Sequence, residues 1–460
     1  MIIKVGETCK DEHVVTYRHI VKISYPVVLS MLAMNIMVFV DRTFVAQYNL
    51  TQFAAMMPAG FFAIAVANIF TGIIGYVSVL VAQYYGAGRY RDCAASMWQG
   101  IYLSLFFVLA LFMLSPFLAN TFQIMGHAGD LLQYEGEYFR LIILAECVQL
   151  FSIAFFSFYR GIGDTRTTMY VGIVTNIVNI VLDWLLVFGK YGLPEMGMLG
   201  SGMATIISCT IGLILYVLLL SKKKFEYQYN ISKIYNFNRS LLNKLLKFGL
   251  FAGVQSFVDT GYFSLLLIII GATGEFNLTC ANIAFAIEAI SILPVIGITT
   301  AVGIIAGQER GANRLENIAV VTKKGIMVGL CFILVIITVC SFSPGFLISF
   351  FNSEQKQENV LLINNTTILL LRLTSIWLVF DTIHLTIGSV LQSLGDTKFM
   401  MVIYAVVPFL FYVILPYVFC VVAQFPLVWL WITLLGYSVI MTILVTNRFL
   451  NGKWKSINVI

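Results

Sequence analysis

The stretch NIMVFVDRTFVAQ, residues 35–47, sets an acid and a base, Asp41 and Arg42, inside an apolar run that begins near Ile20. A charged side chain at the centre of a bilayer costs roughly 3 kcal/mol on insertion scales and more by simulation. A chain that keeps one there turns it toward a bundle interior or a wet cavity, and often uses it. The rest of the sequence shows that a bilayer is the right setting. Of 460 residues, 60% are hydrophobic and 11% are charged, against about a quarter charged in a soluble domain. The apolar runs are too long for strands and lack strict alternation, which predicts a polytopic helical membrane protein rather than a barrel. The opening stretch MIIKVGETCKDEHVVTYRH is mixed and polar, unlike a cleavable signal peptide.

Hydropathy predicts twelve spans, at residues 20–47, 53–85, 94–124, 138–160, 167–190, 199–221, 246–272, 278–307, 322–350, 364–392, 398–424 and 427–448. The basic residues divide sharply between the two sets of connections. One set carries Lys4, Lys10, Arg18, Lys22, Arg89, Arg91, Arg160, Arg166, the cluster from Lys222 to Lys247, Arg310, Arg314, Lys323, Lys324, Lys398, Arg448, Lys453 and Lys455. The other carries Lys190 and Lys356. By the positive-inside rule both termini are expected in the cytoplasm. The net charge of +6 is accounted for by an anionic inner leaflet, with no nucleic-acid partner required. The eight cysteines are scattered, with no CxxC and no metal-ligand spacing.

The Phe39-Val40-Asp41 triplet returns as Phe257-Val258-Asp259. VAQYYGAGRY, residues 81–90, returns as AGQERGANRL, residues 306–315, and the GDT of residues 163–165 returns at 395–397. The separations, 218, 225 and 232 residues, drift in one direction, as two diverged copies would. Each copy holds six spans, an even number, so the halves share one orientation and form a parallel repeat. The expected organisation is a six-helix lobe at 1–221, a cytoplasmic linker at 222–245 and a second six-helix lobe at 246–460. Two bundles around a central cleft is a transporter architecture.

The intramembrane ionisable residues are candidate site residues. Asn179 and Asp183, in TNIVNIVLDW, lie one turn apart on one helix face, with Asn176 one turn earlier. Together with Asp41 they can form an oxygen-rich pocket that holds a proton or a hard cation, or a satisfied polar knot between helices. Asp259 is the repeat partner of Asp41. Asp381 lies one turn before His384, which either relays protons or hydrogen-bonds the acid. Glu288 is a candidate cation-attracting group in the cleft. Glu146 has Arg140 as a candidate partner, and Asp381 has Arg372. Arg42, adjacent to Asp41, points about 100° away from it on a helix and is expected to snorkel or contact another helix. Pro26, mid-span, removes a backbone hydrogen bond and makes a kink or hinge possible. The two GDT turns read as structural: Gly ends one helix and Asp-Thr caps the next.

With VDRTFVAQ, VAQYYGAGRY, RGIGDTRTTMY, NIVLDWLLVFGKYGLPEMGMLGSGMAT and VLQSLGDTK in view, the chain resembles the multidrug and toxic compound extrusion (MATE) family over nearly its whole length. The segment from 160 to 205 is the most specific. The resemblance implies two six-helix bundles in a V and cation-coupled export of amphipathic, often cationic, drugs by alternating access. It implies coupling roles for Asp41, Asn179, Asp183 and Thr205 in the first lobe, and for Asp259 and Asp381 in the second, with Pro26 as the hinge proline of the first helix. Asp259 stands where the family commonly has Glu, and Arg42 stands where a neutral residue is more usual, opposing proton uptake at Asp41. Acids in both lobes leave Na+ and H+ open as the coupling ion.

The expected function is therefore a secondary active efflux antiporter, with no cofactor beyond Na+ or H+ and no enzymatic activity. The alternative is a flippase of the same superfamily for a lipid-linked saccharide, which would call for a basic cleft to hold pyrophosphate. No nucleophile–base pair or metal motif suggests an embedded enzyme, and no P-loop supplies ATP. The expected partners are a small organic substrate and the bilayer, the expected state a monomer, and the expected location a bacterial inner membrane.

Overall fold

A computed structural model describes residues 16–124, 129–349 and 357–460. The N-terminal stretch with Lys4, Cys9 and Lys10, and the connection carrying Lys356, lie outside the described residues. Among those described, twelve helices are long and apolar enough to cross a membrane. They are α1 (Tyr17–Tyr48), α2 (Leu50–Gly86), α3 (Tyr90–Gln123), α4 (Gly129–Gly161), α5 (Thr165–Val187) and α6 (Met198–Leu220) in the first lobe. The second lobe holds α7 (Arg239–Ala272), α8 (Glu275–Gly311), α9 (Leu315–Cys340), α10 (Leu362–Ser393), α11 (Thr397–Val422) and α12 (Val428–Leu450).

Side-chain caps set several helix starts. Asn49 accepts from the Thr51 and Gln52 amides at 2.8 and 3.1 Å to begin α2. Asp164, of the first GDT turn, accepts from the Thr167 amide at 3.2 Å to begin α5. Asn238 accepts from the Ser240 and Leu241 amides and begins α7 at Arg239, well before its apolar section. Hydropathy marks only the stretch a bilayer requires, so the polar first turns of α4 and α7 lie outside the predicted spans. The ninth span ends earlier than predicted: its membrane-length part stops at Cys340 and the helix itself at Phe342, and Pro344 opens a separate short helix, since proline fits a first helical turn and breaks an interior.

Two helices depart from regular geometry. The α2 helix is interrupted at Tyr76. In α11, Pro408 and Pro416 precede the π-helical segments Phe409–Ile414 and Tyr417–Val422; each proline lacks the N–H a regular helix would use. By contrast, α1 runs unbroken through buried Pro26.

The parallel repeat is visible in how the lobes meet. Ile20 and Ile23, at the start of α1, sit in the second-lobe core beside Ile298 and Ala301. Leu245 and Phe248, at the start of α7, sit in the first-lobe core beside Tyr76 and Val77. Each lobe thus inserts the start of its first helix into the other. Gly72 of α2 meets Gly253 of α7 backbone to backbone, and Gly297 of α8 packs on Ser24 and Val28 of α1; small residues let membrane helices approach this closely. At the far ends of α2 and α8, Gly86 packs on the Gln308 carbonyl and Gly311 on that of Gln83. Gln83 Nε2 donates to the Ser393 carbonyl at 2.7 Å, and Gln308 Nε2 to that of Gly161 at 3.0 Å. Arg160 Nη2 adds a bond across the lobes to Thr300 Oγ1 at 2.7 Å. These contacts lie in the helix halves nearest the arginine- and lysine-rich ends.

Candidate functional site

The first candidate site lies inside the first lobe, where α1, α4, α5 and α6 converge. Asp41 of α1 is 9% exposed, Asn179 of α5 1% and Asp183 of α5 0%. Ser201 of α6 donates its hydroxyl to Asp41 Oδ1. The Asp183 carboxyl faces that of Asp41 within hydrogen-bonding range, and Tyr138 of α4 lies against the Ser201–Asp41 pair. Among the described residues, no donor reaches either Asp183 oxygen or Asn179 Oδ1, and Asn179 Nδ2 finds no acceptor. Buried polar atoms are rarely left so, because each costs about 1–3 kcal/mol. Arg42 forms no ion pair with Asp41 among the described residues; its guanidinium carbon stands 5.5 Å from the Phe61 ring centroid, within electrostatic reach of the acid. Two carboxyls this close in a buried site repel each other when both are charged. A proton or a cation between them would relieve that repulsion, and the surrounding groups are oxygen-rich, as a hard cation prefers.

Two sequence candidates stand at the margin of this cluster. Thr205 spends its hydroxyl on the Ser201 carbonyl at 3.0 Å, so Ser201, one turn earlier, is the α6 residue on the acid. Asn176 is half-buried one turn from Asn179. Ser201 and Tyr138 were not among the sequence candidates; the i, i+4 relation of Ser201 to Thr205 was a usable signal.

The second candidate site is a cavity of about 110 Å³ in the second lobe, lined by Glu288 of α8, Trp377 and Asp381 of α10, Tyr412 of α11 and Ser438 of α12, with Phe263 and Phe285 among its apolar walls. Trp377 Nε1 donates to Glu288 Oε1 at 3.2 Å. His384 Nδ1 stands 3.4 Å from Asp381 Oδ1, in contact but too poorly aligned for a hydrogen bond. Its ring packs edge-on to Tyr437 at 6.0 Å. Tyr412 reaches the cavity from the first π-helical segment of α11, the irregularity that often marks a working part of a helix. Asp259, on α7, is exposed and lies within electrostatic reach of Asp381 and Tyr412 without lining the cavity. The structure therefore joins Glu288 to Asp381 and leaves Asp259 beside them.

Two suggested pairings fail. Arg372 is exposed, nine residues before Asp381 on α10, and forms no ion pair with it among the described residues. Arg140 is exposed and likewise forms none with half-buried Glu146. In each case the intervening helical rotation points the arginine away from the acid. The GDT turns also divide. Asp164 caps its helix, but Asp396 forms a bidentate pair with Arg448, 2.6 Å from Nε and 3.0 Å from Nη2, with no side-chain cap.

The MatE family model matches residues 26–185 and again 252–418, one copy in each lobe. The chain belongs to the MatE family. Among curated proteins, a MatE relative called "Probable multidrug resistance protein NorM" from Thermotoga maritima is 27% identical over 385 residues, covering 82% of this chain and 80% of its own. "Multidrug resistance protein NorM" of Vibrio cholerae is 24% identical over 319 residues, 68% of each chain. Among solved structures, an outward-facing multidrug resistance MATE family transporter superposes with a TM-score of 0.85 at 19% identity, covering 96% of this chain and 97% of that one. A transporter of the same superfamily from Pyrococcus furiosus, described as having a binding pocket of reversed polarity that suggests a different function, gives a TM-score of 0.83 at 19% identity over the same shares. At such identity these two structures establish the fold alone: all-helical, with two six-helix bundles. Transport is the business of the MatE family, which is not a family of enzymes.

Proposed function

We propose that the protein is a secondary active efflux antiporter that exports amphipathic organic cations in exchange for Na+ or H+. The observation that carries this reading is the closeness of the Asp41 and Asp183 carboxyls, buried beside Asn179, whose polar atoms have no hydrogen-bond partner among the described residues, with Arg42 within electrostatic reach of Asp41 but not paired to it. A proton or Na+ held there neutralises charge that otherwise opposes closure of an apolar cavity. The ion and the drug then favour different arrangements of the two lobes, and an ion gradient drives the drug outward. Glu288 and Asp381 form the second-lobe site, with Asp259 at its edge and His384 in contact with Asp381. Pro26 lies where α1 packs on the second lobe, near Gly297, a position from which a bend in α1 would change the lobe contact.

The basic ends of the helices face the cytoplasm, as do both termini, in a bacterial inner membrane. In that orientation the Gly86–Gln308 and Gly311–Gln83 contacts seal the cytoplasmic side. One chain carries both lobes, so a monomer suffices. The acidic sites favour a cationic substrate over the pyrophosphate of a lipid-linked saccharide, which ranks the flippase second.

Purified protein in proteoliposomes, given a fluorescent organic cation, distinguishes these readings when Na+ and pH gradients are imposed separately. Transport under one gradient and not the other identifies the ion. Transport under neither, by folded protein, would count against cationic-drug antiport and favour the flippase.

A further inference from the structure

At the basic ends of the second-lobe helices, a cavity of about 580 Å³ lies apart from both acidic sites, between the start of α7, the turn from α10 into α11, the end of α12 and the chain's last residues. Its walls are apolar: Phe248 and Phe251 of α7, Phe399 and Val402 of α11, and Ile457 of the tail. Its charges are Lys247, Lys398, Arg448 and Asp396. Asp396 is 4% exposed and committed to Arg448 through two hydrogen bonds, so that pair is internally balanced. Lys247 and Lys398 are exposed and form no ion pair with an acid among the described residues. Two ammonium groups without an acidic partner therefore border an aromatic pocket, that of Lys247 lying 5.5 Å from the Phe248 ring centroid.

Beside the pocket runs an exposed apolar stripe. Val402, Val406 and Phe409 follow one face of α11 at 45%, 63% and 47% exposure, and Leu250 of α7 is 48% exposed alongside. A ligand filling the cavity and this stripe needs an anionic head and a long apolar tail. The sign is wrong for the cationic substrates assigned to the acidic sites.

We propose that this cavity binds the phosphodiester headgroup of an anionic phospholipid from the cytoplasmic leaflet, with Lys247 and Lys398 on the phosphate and an acyl chain along Val402, Val406 and Phe409. The leaflet rests on the orientation given under the proposed function; the site itself does not depend on the transport reading. Basic pockets between helices on the cytoplasmic side hold such headgroups, and lysine serves as a point-charge phosphate binder. Because Phe248 also belongs to the first-lobe core and Ile457 lies in the tail that Arg310 grips through the Lys455 and Ile457 carbonyls, a lipid here touches parts held by both lobes.

Native mass spectrometry of the full chain in detergent tests this, with dioleoyl phosphatidylglycerol, dioleoyl phosphatidylcholine and inorganic phosphate as separate probes. The wild type is expected to retain phosphatidylglycerol on the order of ten-fold better than phosphatidylcholine, given about two lysine contacts. Lys247→Gln/Lys398→Gln is expected to lose that preference, and Lys190→Gln, at the opposite end, to keep it. Thermal unfolding confirms that the variants fold. Equal retention of the two lipids by the wild type, or an undiminished preference in the double variant, would overturn the proposal. Displacement of phosphatidylglycerol by millimolar inorganic phosphate would assign the site to a free anion and overturn the lipid. None of these readouts requires transport, so the failure of one reading leaves the other standing.

Discussion

Gly86 and Gly311 occupy equivalent places on either side of the lobe contact: each packs against the backbone of the glutamine three residues before the other, Gln308 and Gln83. A Cβ at either position would overlap a carbonyl oxygen, with no flexible side chain to give way. Gly86→Ala and Gly311→Ala should therefore weaken the seal at the basic ends by about 1–3 kcal/mol, typical of overpacking, a factor of roughly ten in the closed-to-open ratio. Electron–electron distance measurements between spin labels at the α2 and α8 ends should show a longer separation gaining population. An unchanged distance distribution in both variants would show that the contact does not hold the lobes.

The repeated GDT turn should respond differently in its two copies. Removing the Asp164 cap by Asp164→Ala should cost about 1 kcal/mol. Arg448→Ala strands a buried Asp396 carboxylate and should cost more, roughly 2–4 kcal/mol. Arg448→Lys should recover only part of this, because an ammonium cannot reproduce the two-pronged contact. Thermal unfolding in detergent orders the three variants, and equal losses for Asp164→Ala and Arg448→Ala would contradict the assignment.

Outside the membrane, the linker between the lobes contains a local acid contact. The Ser232 amide donates to Glu226 at 2.9 Å and the Ser232 hydroxyl donates to the other oxygen; these hydrogen bonds hold the Glu226 carboxyl below its ordinary value of 4.5. A lowered folded value means the contact is fully present above the ordinary glutamate range and fails as pH falls through the lowered value. Hydrogen exchange at the Ser232 amide, corrected for its intrinsic pH dependence, should show unchanged protection from neutral pH down to about pH 5. Loss of protection within that window would contradict the contact.

Much of the fold was legible because its determinants are repetitive. Twelve apolar runs, the drift of the Asp41/Asp259, Gln83/Gln308 and GDT pairs, and the basic asymmetry each follow from rules that hold along the whole chain. The first candidate site was legible in part, since Asn179 and Asp183 share a helix face and only a fold brings Asp41 to them. What the sequence hid depends on contacts between distant helices. Ser201 and Tyr138 reach Asp41 from α6 and α4; beyond the i, i+4 relation of Ser201 to Thr205, no local pattern separates them from other serines and tyrosines in apolar helices. Glu288 and Asp381 share a cavity although 93 residues separate them. The two GDT turns look alike in sequence, and only the nearness of Arg448 gives Asp396 a different task.

The central claim is that the Asp41–Asp183 pair couples the ion to the substrate, and Asp183→Asn in proteoliposomes tests it most directly. Two uptakes of a fluorescent organic cation are compared: exchange with unlabelled substrate at equal ion concentrations, and accumulation against a gradient driven by the ion. The account predicts that Asp183→Asn retains exchange, showing a folded and mobile transporter, while gradient-driven accumulation falls to the level of empty vesicles. Accumulation by Asp183→Asn equal to that of the wild type would place the coupling elsewhere.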